Sequence, residues 1–254
     1  MTALPNLSID PVNVTFVGAG PGAAAHLTLG AYQALQTAEV VIHDRLVGAE
    51  VLALIPASAR LIDMGKAGFG LSATQEDINA CLVTQALSGA RVVRLKGGDC
   101  GIFGRLDEEI EALEAAGLSF AILPGLTSAT VAAATIGQSL TRRGRNAALR
   151  ILTGHDMAGF AEQDWAGLAR KGEVAAIYMG KKSARFIQGR LMMHGAAADT
   201  AVSLIENVSR PDQRVIAASL ASLPQAASGL MGPAVILYGL APRAALATLK
   251  EATA

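Results

Sequence analysis

Val14-Thr15-Phe16-Val17-Gly18-Ala19-Gly20-Pro21-Gly22 is the stretch that decides the fold class of this chain. A short run rich in β-branched and aromatic residues, ending in a cluster of glycines, reads as a buried strand entering a tight turn. The helical pattern over Leu27–Thr37 completes a strand–turn–helix unit, and the same alternation recurs down the chain. Strands are expected at Val14–Val17, Val40–His43, Arg60–Asp63, Arg91–Leu95 and Phe120–Leu123. A second series is expected at Ala148–Thr153, Val174–Met179, Ala201–Glu206, Arg214–Ala217 and Ala234–Tyr238. Further helices are expected at Gln75–Ser88, Glu108–Ala116, Ser128–Ile136 and Ala184–His194. Over Gln75–Ser88, Ile78, Leu82, Val83, Ala86 and Leu87 share one face, and Gln75, Glu76, Asp77, Asn79 and Gln85 point away from it. Thr74 with Asp77 supplies a capping-box-like start, and Gly89 a left-handed stop at its end. Strands separated by helices define an α/β protein with mostly parallel or mixed five-stranded sheets. The alternation weakens between Pro124 and Asn146, so two α/β domains are expected, at 13–124 and 125–245.

Composition narrows the function. The chain has 254 residues, 52% hydrophobic and only 17% charged, which excludes a disordered protein. Its 21 Lys+Arg balance 21 Asp+Glu, so coating nucleic acid or anionic membrane is not its business. No apolar run approaches the ~18 residues that span a bilayer. Met1–Asn13 lacks the basic start and continuous apolar core of a secretory signal. Cys81 and Cys100 stand apart with no CxxC spacing, and a reducing, cytoplasmic location is expected. His26, His43, His155 and His194 have no ligand-type spacing, so no metal is expected.

The first glycine loop is ambiguous when read alone. Gly18-x-Gly20-x-x-Ala23, with Asp44 after the second strand, satisfies a relaxed dinucleotide fingerprint and keeps a NAD-dependent oxidoreductase in play. Against it, Pro21 removes an N–H where a pyrophosphate wants a donor, and Asp44 is followed at once by Arg45. A plain tight turn explains the glycines equally well. A second strand, however, also ends in glycines: Val92-Val93-Arg94-Leu95-Lys96-Gly97-Gly98-Asp99, continuing into Ile102-Phe103-Gly104-Arg105. Two such cradles shift the reading towards a ligand site at the carboxyl edge of a sheet.

With these stretches in hand, the chain resembles the uroporphyrinogen-III C-methyltransferases, among the tetrapyrrole (class III) S-adenosylmethionine-dependent methyltransferases. The matching segments are VGAGPG, HDRLV, MGKAG followed by TQEDIN, VVRLKGGD with IFGR, PGLTSA, LT-R-R, LTGH, YMG and PDQRV, in family order from Val14 to about Tyr238. The resemblance implies two α/β domains with the cofactor in the cleft between them, in a homodimer. It implies S-adenosyl-L-methionine as methyl donor, released as S-adenosyl-L-homocysteine. The implied substrate is uroporphyrinogen III, methylated at C2 and C7 to precorrin-2 on the way to sirohaem or cobalamin.

Carried over residue by residue, the resemblance assigns cofactor contacts to Pro21, Gly97, Gly98, Asp99, Ile102, Thr127, Ser128 and Met179. Gly97 and Gly98 admit the ligand to the backbone, Asp99 can pair with its positive charge, and Ile102 and Met179 can flank the adenine. Core packing is the plainer role for Ile102 and Met179, and a helix N-cap the plainer role for Asp99. Asp44 and Lys66 match the family's proton acceptor and proton donor, chemistry needed because a proton must leave the macrocycle after methylation. Lys66 can instead clamp a carboxylate, and Asp44 can simply pair with Arg45 or cap a loop. The substrate carries eight carboxylates, so Arg45, Arg105, Arg142 and Arg143, with Lys66 and Arg145, are expected to meet it.

The chain departs from the family pattern in places. Cys100-Gly101 stands where Pro-Phe is usual, Arg142 where His is usual, and Leu106-Asp107 where Gly-Gly is usual. The loop after Met179 reads Gly180-Lys181-Lys182, and Val208 replaces a frequent glycine. A methyltransferase of a later precorrin and a non-catalytic tetrapyrrole carrier remain as alternatives, beside the oxidoreductase.

Overall fold

The computed structural model describes residues 12–65, 73–156 and 159–243. The chain divides between Thr127 and Ser128 into two compact units, each built on one five-stranded sheet. The first holds β1 (Val14–Gly18), β2 (Val40–His43), β3 (Arg60–Asp63), β4 (Val92–Lys96) and β5 (Phe120–Leu123), in the order β3-β2-β4-β1-β5. All four pairings are parallel. Parallel neighbours need crossovers, supplied by α1 (Leu29–Thr37), α2 (Ala49–Leu52), α3 (Gln75–Leu87) and α4 (Leu106–Ala115).

Alternation along the strands sorts these helices onto two faces. Val17, Val41, Val93 and Leu95 pack with Ala31, Ala34 and Leu35 of α1 and Val51 of α2. Val14, Phe16, Val40, Ile42 and Val92 pack with Leu82 and Ala86 of α3 and Leu113 of α4. The period of two puts successive residues of one strand into opposite cores, so β1, β2 and β4 are buried on both sides. Neighbouring β1 and β4 therefore send their outgoing helices, α1 and α4, to opposite faces of the sheet. That is the topological switch at which open α/β sheets form a ligand crevice beyond the carboxyl ends of the strands.

Helix α3 starts on the expected capping box: Thr74 Oγ1 accepts from Asp77 N at 3.2 Å, and Asp77 Oδ2 accepts from Thr74 N at 3.0 Å. Gly89 follows its end at φ +81°. Two positions of its face are reversed. Leu87, in the last turn, is 65% exposed, whereas Gln75 is buried and donates to Asn79 Oδ1 at 2.9 Å.

The second unit holds β6 (Arg150–Thr153), β7 (Ala175–Tyr178), β8 (Ala201–Glu206), β9 (Arg214–Ser219) and β10 (Ala234–Tyr238), ordered β6-β7-β10-β8-β9. Only β6 and β7 run parallel; the other pairings are antiparallel, so the sheet is mixed. The short connection from Glu206 to Arg214 allows β8 and β9 to pair directly as a hairpin-like ribbon, with no helix between them. Helix α5 (Ser128–Thr135) packs through Ala129, Ala132 and Ala133 on one face. Helices α6 (Trp165–Leu168), α7 (Ala184–Met193) and α8 (Leu223–Ser228) cover the other. Three of the helices, α2, α6 and α8, are too short to show a helical period and have no counterpart among the expected elements.

Candidate active site

The first glycine loop and the second meet. Gly98 N–H donates to the Gly20 carbonyl at 2.8 Å, Gly20 N–H donates to the Gly98 carbonyl at 3.1 Å, and Ala19 N–H donates to the Lys96 carbonyl at 2.8 Å. The two turns thus continue the β1–β4 contact past the end of the sheet, as an isolated antiparallel bridge at the switch point. Both glycines hold left-handed φ, +69° and +75°, which a side chain would strain.

Glycines also let the remaining loops close in. A Cβ on Gly18 would stand 2.6 Å from Gly125 Cα and 2.9 Å from the Gly98 carbonyl oxygen. One on Gly97 would press Leu46 at 3.0 Å, one on Gly65 would lie 2.7 Å from Arg45 Cα, and one on Gly48 would collide with the Gly22 carbonyl. The turns after β1, β2, β3, β4 and β5 are therefore packed backbone to backbone at one edge. Beside Gly98, among the described residues, no atom lies within 4 Å of where a Cβ would point. A loop made tight on one side and open on the other fits a ligand that must approach the main chain closely.

Asp99 holds this arrangement with both carboxylate oxygens. Oδ1 accepts from Gly101 N at 2.9 Å and Oδ2 from Gly125 N at 3.0 Å. No helix follows it directly, so the N-cap reading gives way to a clamp between the turns after β4 and β5. Ile102 is half-buried, with Phe103 and Arg105 nearby at φ +53°. Arg105 is exposed and forms an i,i+3 pair with Glu108, Nη2 to Oε2 at 2.5 Å. Cys100, in the position of the usual proline, is fully buried, and burial pushes its thiol up to about 12.

Asp44 follows β2 and is 31% exposed. Its partner is not the adjacent Arg45, which is exposed, but Arg94 of β4: Nη2 donates to Asp44 Oδ1 at 2.6 Å. Arg94 is 1% exposed and belongs to a buried charge group that sequence reasoning missed. Its Nε and Nη2 also donate to Glu109 of α4 at 3.0 and 2.9 Å, and Lys96 Nζ donates to Glu109 at 2.6 Å. Burial would lower the guanidinium's pKa, but Asp44 and Glu109 together outweigh it and hold it above its ordinary value. The signal available in sequence was Arg94 and Lys96 at alternate positions of a central strand whose other residues are Val, Val and Leu. They share a face with Val92, so each needs a carboxylate inside the core.

Lys66 lies outside the described residues. Thr127 ends the first unit, and Ser128 opens α5 in the second. In that second unit Met179 follows β7 at φ +52° and is 51% exposed, a strained and solvent-facing position unlike core packing. Its neighbour Tyr178 accepts on its hydroxyl from Ala129 N at 2.9 Å. Arg142 and Arg143 are exposed on the loop before β6, where Arg142 N donates to Asn146 Oδ1 at 3.1 Å. Arg145 is tied to its own loop through Ser139 O at 2.7 Å. Among the described residues no helix is long and apolar enough to cross a membrane.

An open α/β sheet with glycine-built turns at its switch point and an ion-paired carboxylate beside them defines a small-molecule-binding α/β protein. Residues 13–224 match the model of the tetrapyrrole (corrin/porphyrin) methylases, and the chain belongs to that family. It is 45% identical over 226 residues to siroheme synthase 3 of Aeromonas hydrophila, covering 89% of this chain and 48% of that one. It is 43% identical over 231 residues to siroheme synthase of Edwardsiella ictaluri, covering 91% and 50%. The chain thus spans about half the length of the curated relatives it matches. Among solved structures, the uroporphyrin-III C-methyltransferase of Thermus thermophilus complexed with S-adenosylhomocysteine shares 33% identity, with a TM-score of 0.77 over 89% of this chain and 96% of that one. A cobalt precorrin-4 methyltransferase shares the fold at a TM-score of 0.79 and 24% identity, over 91% and 98%. The methyl donor of the family is S-adenosyl-L-methionine.

Proposed function

We propose that this chain methylates uroporphyrinogen III at C2 and C7, yielding precorrin-2. The observation that carries the reading is the reciprocal Gly20–Gly98 bridge at the β1–β4 switch, which makes one open-sided cradle out of two sequence motifs. S-adenosyl-L-methionine, when bound, supplies an electrophilic methyl on a sulfonium. Gly97, Gly98 and Asp99 with Pro21 would hold it, Ile102 and Met179 would flank its adenine, and Thr127 and Ser128 would add polar contacts.

The chain's own residues do the rest. Asp44 takes the proton that must leave the macrocycle once a pyrrole carbon has gained the methyl. Its Oδ1 is bound to Arg94, so Oδ2 is the oxygen to accept that proton. A carboxylate there also stabilises positive charge on the pyrrole nitrogens as it develops. Lys66 serves as proton donor or as a clamp on a side-chain carboxylate. Arg45, Arg105, Arg142 and Arg143 pair with substrate carboxylates, for which a planar guanidinium is better suited than an ammonium. A homodimer in the cytoplasm accompanies this reading.

Anaerobic incubation with uroporphyrinogen III and labelled S-adenosylmethionine, with the product's methyl groups counted by mass, tests it. Two methyls are expected. Binding of the methyl donor without transfer would indicate a carrier, and transfer only to an already methylated precorrin would indicate a later step. Binding of NAD in place of the methyl donor would overturn the proposal altogether.

A further inference from the structure

We infer that Arg94 and Glu109 form a positioning pair for Asp44, setting the carboxylate that takes the substrate's proton without touching the substrate themselves. The inference rests on the reading of Asp44 given above and extends it to two residues inside the core.

Arg94 sits on β4, the middle strand of its sheet, where an aliphatic side chain would serve packing at no electrostatic cost. The fold instead engages all of its donors. Nε and Nη2 grip Glu109 Oε2 and Oε1 side by side, Nη1 faces the carbonyls of Ile42 and Leu95 at 3.5 and 3.4 Å, and Nη2 reaches Asp44. A guanidinium held from a helix and from two strand carbonyls cannot swing. Its remaining Nη2–H therefore marks one fixed point at the sheet's carboxyl edge, and Asp44 Oδ1 is bound there.

Glu109 is the anchor. It is fully buried on α4 and also accepts from Lys96, the last residue of β4 before the second glycine turn, with Gln75 Nε2 at 3.5 Å. Asp44 is the one member of this group that is partly open to solvent. Within the group two cations face two carboxylates, so removing either anchor leaves a buried charge looking for a new partner. The expected consequence is a carboxylate displaced from its position, which affects the rate far more than the binding of either ligand.

The test is a double-mutant cycle on the full chain, with Arg94→Lys, Glu109→Gln, Asp44→Asn and the two double variants. Measured are kcat for methyl transfer, the Kd of S-adenosylhomocysteine and the thermal midpoint. Lysine keeps the charge and loses the fork; glutamine keeps the shape and the acceptor oxygen while losing the charge. Arg94→Lys and Glu109→Gln are each expected to lower kcat about tenfold or more while leaving Kd within about threefold. In the Asp44→Asn background the same changes should alter kcat less than about twofold, because their effect passes through Asp44. Losses that multiply in the double variants, or a Kd that weakens in step with kcat, would overturn the inference and leave the pair a structural one. An Asp44→Asn enzyme with undiminished kcat would instead remove the proton-acceptor reading, and this inference with it. If Arg94→Lys does not fold, the Glu109→Gln arm decides by the same criteria.

Discussion

Gly18 and Gly125 touch through their backbones: a Cβ added to Gly125 would stand 2.8 Å from Gly18 Cα, and one added to Gly18 would stand 2.6 Å from Gly125 Cα. The turns after β1 and β5 close on each other only because neither residue has a side chain. Gly18→Ala and Gly125→Ala are each expected to destabilise the protein by about 1–3 kcal/mol in urea unfolding, as overpacking does. Gly189→Ala is the control. It lies within α7, exposed, with no atom of the described residues within 4 Å of its added Cβ, and should stabilise by about 0.5–1 kcal/mol.

Arg142 and Arg143 are exposed and make no ion pair among the described residues. Replacing either by Ala is expected to raise KM for uroporphyrinogen III several-fold, with S-adenosylhomocysteine affinity unchanged in calorimetric titration. The wild-type KM should itself rise with salt, since exposed charge pairs are screened over about 8–10 Å near physiological ionic strength. Equal weakening of both ligands would remove these arginines from the substrate site.

Glu206 ends β8 almost fully buried, where it accepts from the amides of Gly232 and Met231 and pairs with Arg214 Nε at 3.0 Å. Burial pushes its pKa up, but the two amides and Arg214 outweigh it and hold the carboxyl below its ordinary value of 4.5. A carboxyl depressed on folding contributes stability that is fully present above the unfolded value and lost as pH falls through the folded one. Urea unfolding should therefore show this contribution intact from neutral pH to about 5 and declining below 4.5, with Glu206→Gln flattening that acid limb. An unchanged limb in the variant would assign the acid sensitivity to other carboxyls.

Cys100 is fully buried, its thiol raised to about 12, and Cys81 is half-buried with burial raising its thiol as well. Thiolate is the reactive form, so a thiol reagent at pH 8 should modify Cys100 only at the rate of unfolding. Both of the chain's 2 cysteines should react at once in denaturant. Rapid labelling of native Cys100, read by peptide mass, would mean that the turn after β4 opens readily.

Every strand among the described residues was legible in the sequence, because short β-branched runs between turn residues carry their own signal. The one-turn helices α2, α6 and α8 were not, since four to six residues show no helical period. Gln75 shows a different failure. Pattern alone sends a polar residue outward, yet this one has a buried carboxylate to bind, and the partner is supplied by another helix. At Met179 the plainer core-packing role fails, because its exposure and left-handed backbone follow from how β7 ends, which composition does not reveal.

What the chain's letters determined by themselves were the ten strands found among the described residues, the two glycine turns, the cap of α3 and the family, all of which depend on residues close together or on motif order. Tertiary structure alone decided that β4 inserts between β2 and β1, that Gly20 bonds Gly98, and that Asp44 is held by Arg94, 50 residues away, rather than by its neighbour. Local pattern specifies which face of an element is apolar. It does not say which distant element will bring the matching charge or the matching bare backbone, because that choice is made by the order in which the strands pack.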